Sequence, residues 1–368
     1  MKELLYIGID VDDTMFHVAG FSERTGEIFE SKCKPTSGAL FKVLQGYEER
    51  GYRLECCYEA TYIGFSLHRY LKSRGISCQV IAPSLIPVKA SDRVKTDRLD
   101  SIKLAEFLAK GLLTAVHVPG EDEEARRDLI RSRSFIVGQR SDLKRHILST
   151  LRRLGLDYKA DTGGKTHWTK SHLAWLELKL KEQEPFVRLN LEHLLTQYAQ
   201  LNDMVSSYDL EVVKISEEKA YKNKTEALSC FKGVSLLTAL TLITEIGDVK
   251  RFAHPKALTS FAGLDIREYS SGGRERKYGI TKMGNRRIRT ALVEACQVPA
   301  TRVYVSRRLK KAREGQPEKV VGIADRCQRR LCKKTGAMRA VNKPNNKIKV
   351  ACARELLSFV WETLRTVS

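Results

Sequence analysis

Residues 3–11, ELLYIGIDV, decide how this chain is read: an apolar run, LLYIGI, closed by Asp10. A run of that length bounded by charge reads as a buried β-strand. Residues 14–22 and 26–33 follow as two shorter strands, joined by the turn at Arg24-Thr25-Gly26. Downstream the pattern alternates. Ser37 to Gly51 carries Leu40, Phe41, Val43, Leu44 and Tyr47 at helical spacing and stops at a glycine. LECCYEA (54–60) is strand-like, 63–74 is helical, ISCQVIAP (76–83) is a strand, and a helix runs from Thr96 through Ala109 to Gly111. Three strands followed by alternating helix and strand predict an α/β domain with a mixed sheet and helices on its faces.

Residues 121–222 have another character. Proline and glycine are sparse, and Leu191, Leu194, Leu195, Tyr198, Leu201, Val205, Tyr208 and Val212 recur three and four residues apart. That spacing predicts a long helical hairpin or coiled-coil arm, with helices over 121–155 and 186–220 and a connecting loop at 155–169. Residues 226–300 read as a small helical domain holding a glycine-punctuated loop. Residues 301–349 are very basic, and 347–366 close the chain with a helix built on Val350, Ala351, Leu356, Leu357, Val360 and Trp361. The expected organisation is three units, 1–120, 121–225 and 226–368, the last mainly α.

Charge is spread unevenly. The 368 residues carry 65 Lys and Arg against 44 Asp and Glu, a net +21. Residues 1–120 hold 16 basic and 15 acidic side chains; residues 251–350 hold 26 against 7, almost the whole excess. A near-neutral half joined to a basic one suggests chemistry on one side and polyanion binding on the other. At 42% apolar residues the chain can bury cores, which excludes wholesale disorder. No apolar run approaches the roughly 18–20 residues of a membrane span, and the start, MKELLYIGIDVDD, carries no secretory apolar region. The nine cysteines are scattered: Cys56 and Cys57 are adjacent in a strand, and Cys327 and Cys332 have no matching pair nearby, so neither a disulfide framework nor a zinc site is expected. The expectation is a cytoplasmic protein with nucleic acid as partner and no membrane.

Four carboxylates stand out. Asp10 ends the first strand and Glu59 another, while Asp97 and Asp100 in KTDRLD sit at i and i+3 on a helix start and share a face. In an RNase H-type sheet these ends converge. Four such charges make sense together only with cations, and hard oxygen ligands favour Mg²⁺ or Mn²⁺, which can serve a phosphodiester displacement. Taken singly, each acid is as readily a turn former or a helix cap, and Asp12 and Asp13 are better explained as turn residues. Lys95 and Arg98 flank the acids, as phosphate contacts or as partners in exposed salt bridges.

Residues 261–289, FAGLDIREYSSGGRERKYGITKMGNRRIR, are the second candidate region. Ser270-Ser271-Gly272-Gly273 can hold a hydroxyl at a turn, with Arg274, Arg276, Lys277, Lys282, Arg286, Arg287 and Arg289 around it. A serine among cations is suited to attack a phosphodiester; an ordinary turn beside a phosphate clamp fits the residues equally. The nearest histidine, His254, reads as a helix cap. Upstream, 228–252 has the look of a helix-hairpin-helix whose Lys232-Gly233-Val234 turn can face phosphate.

YIGID, YEAT, KTDRLD and the 261–289 segment, in this order, resemble the DEDD transposases of the IS110 class of bacterial insertion sequences. The resemblance covers roughly residues 1–300 and resumes in the last helix. It implies a RuvC-like (RNase H-like) N-terminal domain, a coiled-coil arm and a C-terminal transposase domain. By position its acids fall on Asp10, Glu59, Asp97 and Asp100, and its nucleophile on Ser271, with Ser270 next to it as the fallback. It further implies a phosphoserine intermediate, donor and target double-stranded DNA, a structured noncoding guide RNA (the bridge RNA), and a homo-oligomer from dimer to tetramer in the nucleoid. Residues 301–346 exceed the shortest members and read as an extended C-terminal region, either extra RNA or DNA contact surface or a solvated basic helix. Two other readings remain open: a Holliday-junction-type nuclease in which a metal-activated water attacks, and a non-catalytic nucleic-acid-binding regulator.

Overall fold

The computed structural model describes residues 2–87, 96–271, 274–297 and 303–367, with side chains outside the description at 269–277. The chain divides into two compact units, Met1–Pro119 and Gly120–Ser368.

The first unit is a five-stranded mixed sheet with helices. Its elements are β1 (Glu3–Asp10), β2 (Phe16–Phe21), β3 (Ile28–Cys33), α1 (Ser37–Glu49), β4 (Tyr52–Glu59), α2 (Ser66–Ser73), β5 (Ser77–Ile81) and α3 (Asp97–Ala109). The strand order is β3-β2-β1-β4-β5. The first three strands are antiparallel, as adjacent hairpins must be, and β1-β4-β5 are parallel through the crossovers α1 and α2. This topology is consistent with an RNase H-like fold.

Strand alternation sorts β1 onto two faces. Leu5, Ile7 and Ile9 are buried in one core with Leu40, Leu44, Leu67 and Leu71 of α1 and α2. Gly8 lies on the other face, and α3 lies across it. A Cβ at Gly8 would stand 2.1 Å from the Ser101 carbonyl oxygen and 2.5 Å from the Ala105 amide nitrogen. Small residues on both sides let the helix backbone touch the strand. Leu104 and Leu108 of α3 fill the rest of that face with Cys57 and Ile81.

The second unit is mostly helical. It begins with α4 (Glu121–Arg153), α5 (Tyr158–Thr162), α6 (Lys170–Lys181) and α7 (Pro185–Glu217). Arg126 pairs with Glu218 just past α7, Arg133 with Asp209 and Arg140 with Asn202, so α4 and α7 run antiparallel. Ile136, Leu143, Ile147 and Leu151 bury their seam against Leu191, Tyr198, Leu201 and Val205. The expected 155–169 loop is only partly a loop. Asp157 caps α5, and Thr169 caps α6, which fills part of the stretch before α7. The polar residues that looked like a connection are helix caps. Around them Tyr158, Trp168, Trp175 and a fully buried His172 make an aromatic cluster.

Next come α8 (Lys222–Ser229), α9 (Leu236–Ile246), α10 (Pro255–Phe261), β6 (Ile266–Ser271), β7 (Arg274–Ile280), α11 (Arg286–Ala295), α12 (Arg307–Arg313), α13 (Glu318–Ala340) and α14 (Asn345–Val367). Two expectations change here. The glycine-punctuated loop is a β-hairpin, β6 against β7, hidden from sequence reading because its strands are polar on both faces. The basic segment 301–346 is no solvated helix: α13 buries Val320, Ile323, Ala324, Cys327 and Leu331 in the same core as Leu356, Leu357 and Val360 of α14. Several of its charges are matched by α14, with Arg330 and Lys334 on Glu355 and Arg326 on Glu362. Among the described residues all cysteines are free thiols, and no helix is long and apolar enough to cross a membrane.

Candidate functional site

The four acids meet at one edge of the first unit. Tyr58 pairs with Ile9 across parallel β1 and β4, so Asp10 and Glu59, one step on, close adjacent strands side by side. Asp10 shares the face of Gly8, two residues earlier, which is the face that α3 covers. Ser101 sits over Gly8, and Asp97, one helical turn upstream, reaches toward the strand end together with Asp100. The close helix–strand contact at Gly8 is therefore what aims the helix start at Asp10.

The electrostatics agree with this placement. Asp10 is half-buried, and its carboxyl is pushed up to about 6, first by burial and then by the charges of Asp97, Asp100, Glu59 and Asp12. The ordinary capping role is already taken, because the Thr96 hydroxyl accepts the Leu99 N–H at the start of α3. Asp12 is the turn residue it was expected to be, accepting from the Thr14 backbone N–H at 2.9 Å and hydroxyl at 2.6 Å. Asp13 instead receives the Tyr62 hydroxyl at 2.6 Å. Arg98 pairs with Glu30 on β3, the salt-bridge alternative. Lys95 lies outside the described residues.

An all-oxygen set of carboxylates suits a hard divalent cation. Among the described residues no three His, Cys, Asp or Glu side chains form a ready-made metal cage. The charges of Glu59, Asp97 and Asp100 act on Asp10 without the four closing into one.

Two groups at this edge escaped sequence reading. His17 stands cross-strand from Asp10 in the β1-β2 register. Tyr62 is 68% exposed, with its hydroxyl tethered to Asp13. Strand pairing brings His17 to Asp10, and Tyr62, three residues after Glu59, reaches across to Asp13.

In the second unit Ser270 and Ser271 end β6, opposite Glu275 and Arg274 of β7, with Tyr269 opposite Arg276 and Glu268 opposite Lys277. The side chains of Ser270, Ser271, Arg274, Arg276 and Lys277, and the whole of Gly272 and Gly273, lie outside the described residues. The base of the hairpin is stapled by backbone. Thr281 N–H donates to Asp265 O at 2.8 Å, and Asn285 N–H to Phe261 O at 2.8 Å. Gly284, at φ 114°, has no room for a Cβ, which would meet Phe261 O at 2.2 Å. Lys282 is exposed at φ 58°.

Arg286 and Arg287 are exposed in the first turn of α11. Arg289 is structural, donating to Ala262 O at 2.9 Å and Gly284 O at 3.2 Å. Asn285 caps α11 and also donates to Glu245, a carboxylate whose side chain is 2% exposed and which takes both arms of Arg131 at 2.8 Å. Burial alone would raise the Glu245 pKa, but Arg131 and Asn285 hold it low. This buried knot joins α4, α9 and the foot of the hairpin. His254 is a cap, of α10 after it and not of the helix before it. Lys232 sits in the α8–α9 turn, half-buried, beside Gly233 at φ 88°.

The comparisons with known proteins match both halves of this arrangement. A DEDD family model of the IS110 type, described as Transposase, matches residues 7–155, and one described as Transposase IS116/IS110/IS902 family matches 225–311. The protein y4qE of Sinorhizobium fredii (strain NBRC 101917 / NGR234), itself assigned as a transposase, is 34% identical over 362 residues, 98% of this chain and 88% of its own length. The transposase for insertion sequence element IS1533 of Leptospira borgpetersenii is 30% identical over 91% of this chain and 96% of its own. That for IS1111A of Coxiella burnetii is 24% identical over 81% and 78%. With both functional regions matched in order and relatives aligned nearly end to end, this chain belongs to the IS110 family of transposases.

Proposed function

We propose that this protein is an RNA-guided DNA recombinase that cuts and rejoins DNA through a phosphoserine link. The division of labour follows three parts: an RNase H-like acidic domain (1–120), a coiled-coil arm (121–225) and a serine-bearing domain (226–368). Asp10, Glu59, Asp97 and Asp100 would hold Mg²⁺ or Mn²⁺, which would supply Lewis-acid stabilisation of the scissile phosphate. The Ser271 hydroxyl attacks that phosphate, forming the serine–phosphate bond as the DNA leaving oxygen departs. Arg274, Arg276, Lys277, Lys282, Arg286 and Arg287 hold neighbouring phosphates. The energy of the broken ester stays in the phosphoserine, so rejoining needs no external source. A structured guide RNA selects donor and target DNA, and the chain works as a dimer to tetramer.

The observation that supports this best is a half-buried Asp10 with Asp97, Asp100 and Glu59 close enough to add to the effect of burial, which together push its pKa up to about 6. Such crowding has a cost that a purely structural edge would not keep. Alignment with transposases over nearly the whole length supports reading that edge as part of DNA processing.

The test co-expresses the protein with RNA from its flanking sequence and adds labelled DNA and Mg²⁺. A denaturing protein gel compares wild type with Ser271→Ala and Asp10→Asn. A labelled adduct in the wild type alone is expected. Persistence in Ser271→Ala would move the nucleophile to Ser270 or elsewhere. Cleavage without an adduct would favour attack by water.

A further inference from the structure

The second unit contains a cleft that none of this chemistry uses. A cavity of about 260 Å³ opens between the α8–α9 turn, the end of α11, and helices α13 and α14. Its floor is apolar: Phe231, Leu331 and Ile348 with the thiols of Cys327 and Cys352. Burial pushes the Cys327 thiol well up, so the floor stays uncharged. Its rim is cationic, with Lys232, Arg339 and Lys349, and no carboxylate is among the described residues that line it.

One enclosed polar atom beside this space has no partner among the described residues. Gln328 is 4% exposed and lines the cleft. Its amide N–H donates to Tyr304 O at 2.9 Å, which fixes which end of the amide is which. The other end, Oε1, has no hydrogen-bond partner among the described residues. A buried acceptor left empty costs free energy until a donor reaches it.

We propose that this cleft binds a single unstacked nucleotide, its base on the apolar floor and its phosphate on the Lys232, Arg339 and Lys349 rim. Once the Gln328 amide turns its enclosed Oε1 to the cleft, a flat ring with an N–H edge satisfies it, and every common base has such an edge. A volume of about 260 Å³ exceeds the roughly 150 Å³ that holds benzene and falls below the range of drug-sized pockets, which suits a base. Proteins that take a base out of its stack read it in this way, by one polar edge and an apolar wall. The inference rests on the reading that this protein handles nucleic acid. The same chemistry can come from RNA or from DNA.

The test uses the full chain and small probes. Binding of AMP, dAMP and ribose 5-phosphate is measured by saturation-transfer NMR, and 8-azido-AMP is photo-crosslinked and mapped by peptide mass spectrometry. The nucleotides are expected to bind about tenfold tighter than ribose 5-phosphate, and Gln328→Met to remove that margin. Lys349→Glu, at the half-buried lip, is expected to weaken all three probes without unfolding the chain. Crosslinks are expected on peptides carrying Phe231 or Cys327.

Preference for AMP over dAMP assigns the site to RNA, and equal binding or the reverse assigns it to DNA. Equal binding of nucleotide and ribose 5-phosphate, an unaffected Gln328→Met, or crosslinks only elsewhere would overturn the site. Retention of duplex DNA by the same protein is measured in parallel. If duplex still binds, only the cleft is lost; if nothing binds, the nucleic-acid reading fails as well.

Discussion

The two candidate centres are held in place by opposite means. The acids of the first unit stand at the ends of buried elements, positioned by close packing in a core: a helix backbone pressed onto a strand at Gly8. The serine hairpin of the second unit has a polar two-stranded frame, positioned by backbone hydrogen bonds at its base and by the Glu245 knot beneath it. Packing sets the position of the acids through a whole core, whereas a hairpin root transmits any local change directly to its tip. The two centres should therefore fail differently.

Asp10→Asn should have the largest effect. It changes the most crowded acid and leaves the packing alone, and a loss of roughly 10³-fold in DNA cleavage is expected, with the melting temperature preserved or raised. Cleavage at wild-type rate would remove Asp10 from the chemistry.

Glu245→Ala should come next, through stability. It strands Arg131 and frees the Asn285 amide, at about 3 kcal/mol, the low end for a broken buried pair because Arg131 keeps some solvent. Urea unfolding followed by tryptophan fluorescence reads this in the second unit alone, since Trp168, Trp175 and Trp361 all lie there.

Gly8→Ala and Gly284→Ala compare the two centres directly, at about 1–3 kcal/mol each. Gly8→Ala should lift α3 and weaken Mn²⁺ binding although no acid is altered. Gly284→Ala should leave Mn²⁺ binding intact and reduce adduct formation. Equal effects of both on Mn²⁺ affinity would erase the distinction.

The smallest effects should come from pH, and they carry opposite signs. Asp10 has a folded pKa near 6, above its ordinary 3.8, so the first unit should gain stability as pH falls from 6 towards 4 in a chelating buffer. His172 is lowered to about 4 by burial and by His167, from its ordinary 6.5. Below 6.5 the unfolded chain takes up a proton that the folded one refuses, so the aromatic cluster should lose stability over much the same range. Hydrogen exchange measured separately on β1 and α6 should diverge between pH 6 and 4; parallel changes would contradict both shifts.

What could be read locally was read well. Asp10, Glu59, Asp97 and Asp100 each sit at an element end, and apolar periodicity marks those ends within a few residues. The packed side of α13 was not legible because charge was counted along the chain and not around the helix. Val320, Ile323, Ala324, Cys327 and Leu331 form an ordinary buried stripe, and part of the charge is cancelled by Glu355 and Glu362 from a helix some twenty-five to thirty-six residues away. The hairpin was missed for another reason: a polar strand shows no alternation, and β6 and β7 are defined by pairing with each other and by the room Gly284 leaves.

Sequence alone determined the element order of the first unit, the place of the four acids at element ends and the family resemblance, because strand ends, helix starts and motif spacing are properties of neighbouring residues. Tertiary structure alone decided that Gly8 brings α3 onto β1, that Glu245 is buried beside the foot of the hairpin, and that Gln328 lines a cleft with its Oε1 enclosed and without a partner among the described residues. Each of these depends on what approaches from a distant part of the chain, and close packing, not local preference, settles it.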